Sequence, residues 1–316
     1  MRAVTIVDGE LHWREHPDPE PGTGELLVAV RAAGLNGADL LQQAGRYPAP
    51  PGSPADIPGL EMAGEVAAVG AGVTRFAPGD RVMAIVGGGG QAELAVVHER
   101  VALPVPPDLT WEEAGGFPEV FTTAHDALFS QCGLTIGERL LVNGAAGGVG
   151  TAGVQLGLCA GASVVGTARR PEQRQAVEAL GARVTAVEPD QAAAHGPYDV
   201  VLELVGGPNL ASDLASLASG GRIAVIGVGA GATAEVDLRA LMGSRGRIHG
   251  STLRARPLEG KAAAARAVEA HVLPLLSTGD VKVPVAATYP MAEAGQAYRH
   301  FAGGGKVGKI VLVAGG

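Results

Sequence analysis

The stretch LLVNGAAGGVGTAGVQLG, residues 140–157, decides the fold. Leu140 to Asn143 is a short apolar run of the kind a buried strand needs, and it ends on a glycine. Gly144, Gly147 and Gly150 follow at even spacing, and the chain then runs on as a helix-forming segment to Cys159. A strand, a tight glycine turn and a helix in that order bring backbone N–H groups and the positive end of the helix dipole to one point, which suits a diphosphate. Gly144, Ala146, Gly147, Gly148, Val149 and Gly150 are therefore candidate contacts to a dinucleotide cofactor. With 49 glycines in the chain, an ordinary helix start is the competing reading. The strand before the motif and the strand–helix rhythm after it favour the cofactor.

About 20 residues further on, a site for unphosphorylated ribose carries an Asp or Glu at the end of the second strand. Here that place reads Gly166-Thr167-Ala168-Arg169-Arg170. A carboxylate would repel a 2′-phosphate, whereas neighbouring guanidiniums grip it with charge-assisted bonds. The expected cofactor is therefore NADPH, with Thr167, Arg169 and Arg170 among its contacts and Arg174, one turn into the next helix, as a third cation. Arg169 and Arg170 also read as solvated loop charges ahead of a helix opened by Pro171. Gly227, which closes the run RIAVIG, is a further cofactor-binding candidate.

Outward from this motif the chain alternates apolar strands and helices: Arg139 to Asn143, Gly148 to Cys159, Ala162 to Gly166, Pro171 to Leu180, Arg183 to Val187, Asp199 to Val205, Asn209 to Ala218 and Arg222 to Gly227. Near-continuous apolar strands are what a parallel sheet covered on both faces requires, so this half reads as a doubly wound α/β (Rossmann) domain. Before about Pro107 the pattern changes to short strands between turn signals: Ala3 to Val7, Glu25 to Ala32, Gly64 to Val69, Asp80 to Ile85 and Ala92 to Val97. That spacing predicts a mostly β unit, interrupted by a helix at Asn36 to Ala44 and by the proline-rich loop Gly45 to Ile57. After Pro257 the sequence predicts a helix to Ser277, a second around Met291 to Phe301 and a closing strand Lys309 to Val313.

Composition narrows the function classes. A formal charge of -8 without a run of Lys or Arg argues against a nucleic-acid partner. Only Cys132 and Cys159 are present, far apart, so no secreted-type disulfide framework is expected. No apolar run approaches the roughly 20 residues of a membrane span, and the N-terminus lacks a leader pattern. A soluble, cytoplasmic protein without a membrane partner is the expectation. No nucleophile elbow is present, and neither Cys sits beside a His. The eight histidines are scattered and read as surface or satisfied core residues.

The segments GLNGADLLQQAGRYPAPPG (34–52), GLEMAGEVAAVGAGV (59–73), FAPGDRV (76–82), NGAAGGVG (143–150), GSTLRARPLEGK (250–261) and VGKIVL (307–312) together resemble the medium-chain dehydrogenase/reductase superfamily. Within it they are similar to the zinc-independent quinone oxidoreductases of the zeta-crystallin and p53-inducible types, over essentially the whole chain. The resemblance implies a GroES-like catalytic domain made of residues 1–116 and 257–316 and a Rossmann NADPH-binding domain at 117–256. Zinc-dependent members place a Cys where this chain has Asn36 and a His where it has Leu60, and they carry a four-Cys lobe where this chain runs through GGGG to Gln91. No metal is therefore expected, and Asp39 and Glu61 read as structural carboxylates.

The resemblance also implies that Asn36, Tyr47 and Thr123 are the catalytic residues, lying near the nicotinamide. Tyr47 is suited to stack on a flat substrate and to orient a carbonyl oxygen, and it reads equally as a turn residue of the proline loop. Asn36 doubles as an N-cap candidate. A Tyr that many relatives carry on the adenine side is replaced around Glu188. The implied function is NADPH-dependent reduction of quinones. The alternatives are reduction of an enone, alkenal or enoyl thioester, or an NADPH-binding structural role without turnover, as in crystallins. A homodimer through the sheet edge near Arg247 to Leu253 is the family expectation.

Overall fold

The computed structural model describes residues 1–182, 184–186 and 189–315. The chain divides into two compact units. The first holds Met1–Glu119, Leu253–Gly304 and Lys309–Gly316, and the second Val120–Thr252 and Gly305–Gly308.

In chain order the strands are β1 (Arg2–Val7), β2 (Glu10–Glu15), β3 (Glu25–Gly34), β4 (Glu61–Val69), β5 (Arg81–Ile85), β6 (Leu94–His98), β7 (Leu103–Pro104), β8 (Arg139–Asn143), β9 (Ser163–Thr167), β10 (Val184–Ala186), β11 (Tyr198–Glu203), β12 (Leu217–Val225), β13 (Arg247–Gly250), β14 (Val285–Pro290) and β15 (Lys309–Val313). The helices that position candidate residues are α1 (Gly37–Gln43), α2 (Trp111–Gly115), α3 (Pro118–His125), α4 (Gly148–Cys159) and α5 (Pro171–Ala179).

In the first unit the seven-stranded mixed sheet runs β14-β15-β3-β4-β5-β7, with β6 also on β3. Strand β3 is the hub because its inward side chains Leu26, Val28 and Val30 alternate with outward ones, and it pairs antiparallel with β4, β6 and β15. These residues share a core with Met62, Val82, Ala84, Tyr298, Ile310 and Leu312. Strand β2 was missed in the sequence, although Asp8-Gly9 is a hairpin signal. Both residues take positive φ, at 50° and 80°, as a two-residue turn between twisted strands requires. The helix expected to run from Pro257 to Ser277 breaks into Leu258–His271 and Leu273–Thr278. Pro274 lacks an N–H and its ring crowds the preceding turn.

The second unit is built on a six-stranded parallel sheet in the order β10-β9-β8-β11-β12-β13. The order reverses at β8, whose neighbours β9 and β11 lead away in opposite directions. In such sheets ligands bind at the carboxyl ends of the strands beside that reversal. This α/β architecture with a separate, mostly β unit is the fold class expected from the sequence. The helix predicted at Asn209 to Ala218 stops at Ala215, and β12 begins early, at Leu217. Of the expected strand Arg183 to Val187 the described part is β10; Arg183, Val187 and the Glu188 substitution lie outside the described residues.

Candidate active site

At the end of β8 the chain turns at Gly144, φ +77°, which an L side chain would strain. The turn is tied to the next strand: Ala145 N–H donates to the Thr167 carbonyl at 3.0 Å and Gly144 N–H to Thr167 Oγ1 at 3.1 Å. Gly147 is the N-cap of α4, so the N–H groups of Gly148, Val149 and Gly150 have no acceptor within the helix. Gly150 brings the helix onto the turn, since a Cβ there would lie 2.4 Å from Gly144 O.

The turn borders a cleft of about 590 Å³ lined by backbone or small residues of the turn, by Thr167, Ala168 and Arg169 after β9, and by Leu204, Val205 and Asn209 after β11. That volume suits a small-molecule site. A Cβ at Gly147 would meet only Gly144 O at 3.5 Å and one at Gly229 nothing within 4 Å, so side chains there would fill the cleft. Among the described residues Arg169 is the charged member of the lining, and no carboxylate belongs to it. The site thus fits an anionic dinucleotide.

Of the other predicted cofactor residues, Gly144, Ala146, Gly147 and Thr167 line the cleft. Arg170 is directed instead at the Gly305–Gly308 segment, where a Cβ on Gly305 would lie 2.1 Å from its Nη1. Arg174 donates to the Arg169 carbonyl at 3.4 Å. Gly227 backs the cleft rather than lining it, packed so that a Cβ would meet Leu204 O at 2.2 Å.

Beneath the cleft lies a buried polar network that the sequence reading missed. The Glu203 carboxylate accepts from Val205 and Gly206 N–H at 2.5 and 2.6 Å, from Asn143 Nδ2 at 2.7 Å and from Asn209 Nδ2 at 3.1 Å. Asn143 Nδ2 also donates to Asp213 Oδ1 at 2.7 Å. Burial and the adjacent Glu203 push the Asp213 carboxyl up to about 8, so Asp213 carries a proton at neutral pH.

The first unit concentrates a second network. Lys309, on β15 and 2% exposed, donates from Nζ to Leu35 O, Asn36 Oδ1 and Glu61 Oε1, each at 2.7 Å. Asn36 Nδ2 donates to Glu61 Oε1 at 2.9 Å. Asn36 occupies the N-cap position of α1, but its side chain serves this network; the Asp39 carboxylate instead closes onto Asn36 N–H at 2.8 Å. Asp39 also takes Gly59 N–H at 3.1 Å, and burial raises it from 3.8 to about 7.

Tyr47 is held from behind by Arg254. Its guanidinium carbon lies 5.0 Å from the ring centroid, and Nη1, Nε and Nη2 donate to Tyr47 O, Gly87 O and Gln42 Oε1 at 3.0, 2.8 and 2.6 Å. Burial holds the Tyr47 hydroxyl above its ordinary value, so it stays protonated at neutral pH. The structure thus brings Asn36 and Tyr47 into one unit, while Thr123 lies buried on α3 in the other.

Comparison with known proteins fits this geometry. A family described as "Alcohol dehydrogenase GroES-like domain" matches residues 22–107, and one described as "Zinc-binding dehydrogenase" matches residues 175–312. The quinone oxidoreductase of Rattus norvegicus is 31% identical over 93% of this chain and 91% of its own length, and that of Homo sapiens 30% identical over 93% and 91%. The chain belongs to the quinone oxidoreductase type of the medium-chain dehydrogenase/reductase superfamily.

That superfamily binds nicotinamide cofactors and carries out oxidoreduction. A mycobacterial protein solved in complex with NADPH superposes with a TM-score of 0.87 at 28% identity, covering 99% of this chain and 100% of that one. An alcohol dehydrogenase superfamily protein from Novosphingobium aromaticivorans superposes at 0.88 and 29%, covering each chain fully. A polyketide synthase system protein of Streptomyces orinoci is 36% identical over 92% of this chain, which spans 13% of that protein.

For a medium-chain reductase the first-unit network has a plain electrostatic reading. The Lys309 ammonium answers the buried Glu61 charge, so this corner is filled by an ion pair and an amide. Sequence reasoning identified Glu61 as structural but missed its partner. The signal was present: a lone Lys inside the apolar strand KIVLV must be paired if buried.

Proposed function

We propose that this chain reduces quinones with NADPH by hydride transfer without a metal, its second unit binding the cofactor and its first serving as the catalytic domain. The observation that carries the cofactor choice is Arg169 in the cleft lining at the end of β9, where an acidic residue would favour NADH. The complex of a structural relative with NADPH and the likeness to quinone oxidoreductases support the same reading.

NADPH, when bound, supplies the hydride, and the protein's task is to hold, orient and exclude water. In this reading the turn at Gly144–Gly150 takes the diphosphate and Thr167 and Arg169 the 2′-phosphate side, with Arg170 or Arg174 in support. Tyr47 stacks on the flat acceptor and directs its hydroxyl to a carbonyl oxygen, while Asn36 completes the substrate side of the first unit and Thr123 remains the catalytic candidate of the second. Homodimerisation through β13 belongs to the same proposal, since β13 is an edge strand and the helix before it in the chain, Leu238–Ser244, exposes Leu238 and Met242.

Calorimetric titration of the wild type and Arg169→Ala with NADPH and NADH tests the cofactor. NADPH should bind the wild type more tightly. Arg169→Ala should lose about 10- to 100-fold for NADPH, the worth of one charge-assisted contact, with NADH little changed. Equal or tighter binding of NADH by the wild type would overturn the choice.

A second reading, reduction of a conjugated enoyl thioester or enone, is favoured by the 36% identity to the polyketide synthase protein. NADPH oxidation against paired quinone and enone panels separates the two. Activity confined to the enones would replace the first reading.

A further inference from the structure

Helix α3 opens at Pro118, and its second residue carries a carboxyl that nothing above uses. Glu119 N–H donates to Glu61 Oε2 at 2.8 Å, while Asn36 Nδ2 holds Glu61 Oε1 at 2.9 Å. Glu119 and Asn36 are thus pinned to the two oxygens of one carboxylate, whose charge Lys309 already answers. The Glu119 side chain has an Oε2 sealed from solvent with no hydrogen-bond partner.

The charged and titratable groups that act on it are Glu61 on β4, Lys309 on β15, Asp39 on α1, Arg254, Lys261 on the helix Leu258–His271, and Tyr47. Burial, then the Glu61 charge, raise Glu119 from 4.5 to about 8, against the partial pull of Lys309 and Arg254. At neutral pH it is therefore a carboxylic acid; its Oε2 is sealed without a partner, while the residue as a whole is partly exposed and presents its hydroxyl from Oε1. An acid kept protonated at neutral pH beside Asn36 and open on one side is suited to donate to an oxygen that a ligand brings.

We propose that Glu119 is the proton donor of the reaction, offering its carboxyl O–H to the carbonyl oxygen of the acceptor as that oxygen gains charge. The proposal rests on the reductase reading above. As the hydride adds to the conjugated acceptor and its electron pair moves onto oxygen, the Glu119 O–H bond breaks and a new O–H bond forms on that oxygen. The acceptor leaves reduced by two electrons, NADPH is oxidised by two, and the Glu119 carboxylate regains its proton from water. Tyr47, with its hydroxyl held above an ordinary value of 10.0, is the poorer donor at neutral pH and keeps the orienting role.

The test compares wild type, Glu119→Gln and Glu119→Asp with one quinone and one enone. It adds an infrared pH titration of the carboxylic-acid C=O band in protein free of cofactor. The wild type should lose kcat as pH rises through about 8, with the C=O band disappearing over the same range. Glu119→Gln should keep the acceptor KM within about 3-fold, lose about 100-fold in kcat, and show neither the alkaline limb nor that band. Glu119→Asp should restore part of the rate with a shifted limb.

Active wild type with an equally active Glu119→Gln, or a titration showing Glu119 ionised at pH 6, would overturn the donor role and leave the reductase reading standing. A wild type that binds NADPH but oxidises it with no acceptor would overturn both.

Discussion

At the scale of single residues, Lys309 and Arg169 represent two kinds of legibility. Arg169, which lines the cleft, is legible as a candidate because charge beside a glycine motif has a chemical meaning in the chain itself. Lys309 was passed over because its meaning depends on Glu61, 248 positions away in the chain. Its three hydrogen bonds predict the outcome of Lys309→Met. The substitution leaves the fully buried Glu61 carboxylate without its counter-ion, which costs about 3–5 kcal/mol. Urea unfolding should show that loss, and adding Glu61→Gln should recover a substantial part of it by removing the unpaired charge. A single variant as stable as the wild type would mean that the pair contributes nothing net.

At the scale of elements, strand β8, the Gly144 turn and α4 were read with their bounds intact. Local sequence suffices there: an apolar run, a residue that tolerates positive φ, and small residues where helix and strand approach. The segment after β11 was not legible as part of the site. Leu204 and Val205 look like ordinary strand residues, and they line the cleft because Glu203 gathers the Val205 and Gly206 N–H groups. Glu203→Gln should therefore weaken the cleft from below. A neutral amide accepts those N–H groups less strongly, so NADPH affinity should fall about 10-fold or more while circular dichroism stays unchanged. Unaltered affinity would show that the segment holds its shape without the charge.

At the scale of the whole molecule, buried carboxyls give stability an uncommon pH dependence. Asp39 and Glu119 are raised to about 7 and about 8, from ordinary values of 3.8 and 4.5, and Asp213 is raised as well. Between the ordinary and the raised value the folded chain holds a proton that the unfolded chain has released. The stability of each group is thus fully present below its ordinary value and lost as pH rises through the raised one. Glu99 and Glu138, held down by backbone N–H groups and by Arg222 respectively, act in the opposite sense in acid. Urea midpoints should therefore fall steadily from about pH 5 to pH 8, and less steeply in Glu119→Gln; a midpoint flat across that range would contradict the burial of these acids. The sequence by itself determined the two-part α/β and β architecture, the glycine turn and the family, because periodicity, glycine spacing and local charge are properties of neighbouring residues. Only the tertiary structure decided that Lys309 neutralises Glu61, that Arg254 steadies Tyr47, and that one carboxyl oxygen of Glu119 is sealed without a partner. Those facts arise from residues far apart in the chain meeting in a low-dielectric interior, where each charge or polar group must find a partner or change its protonation.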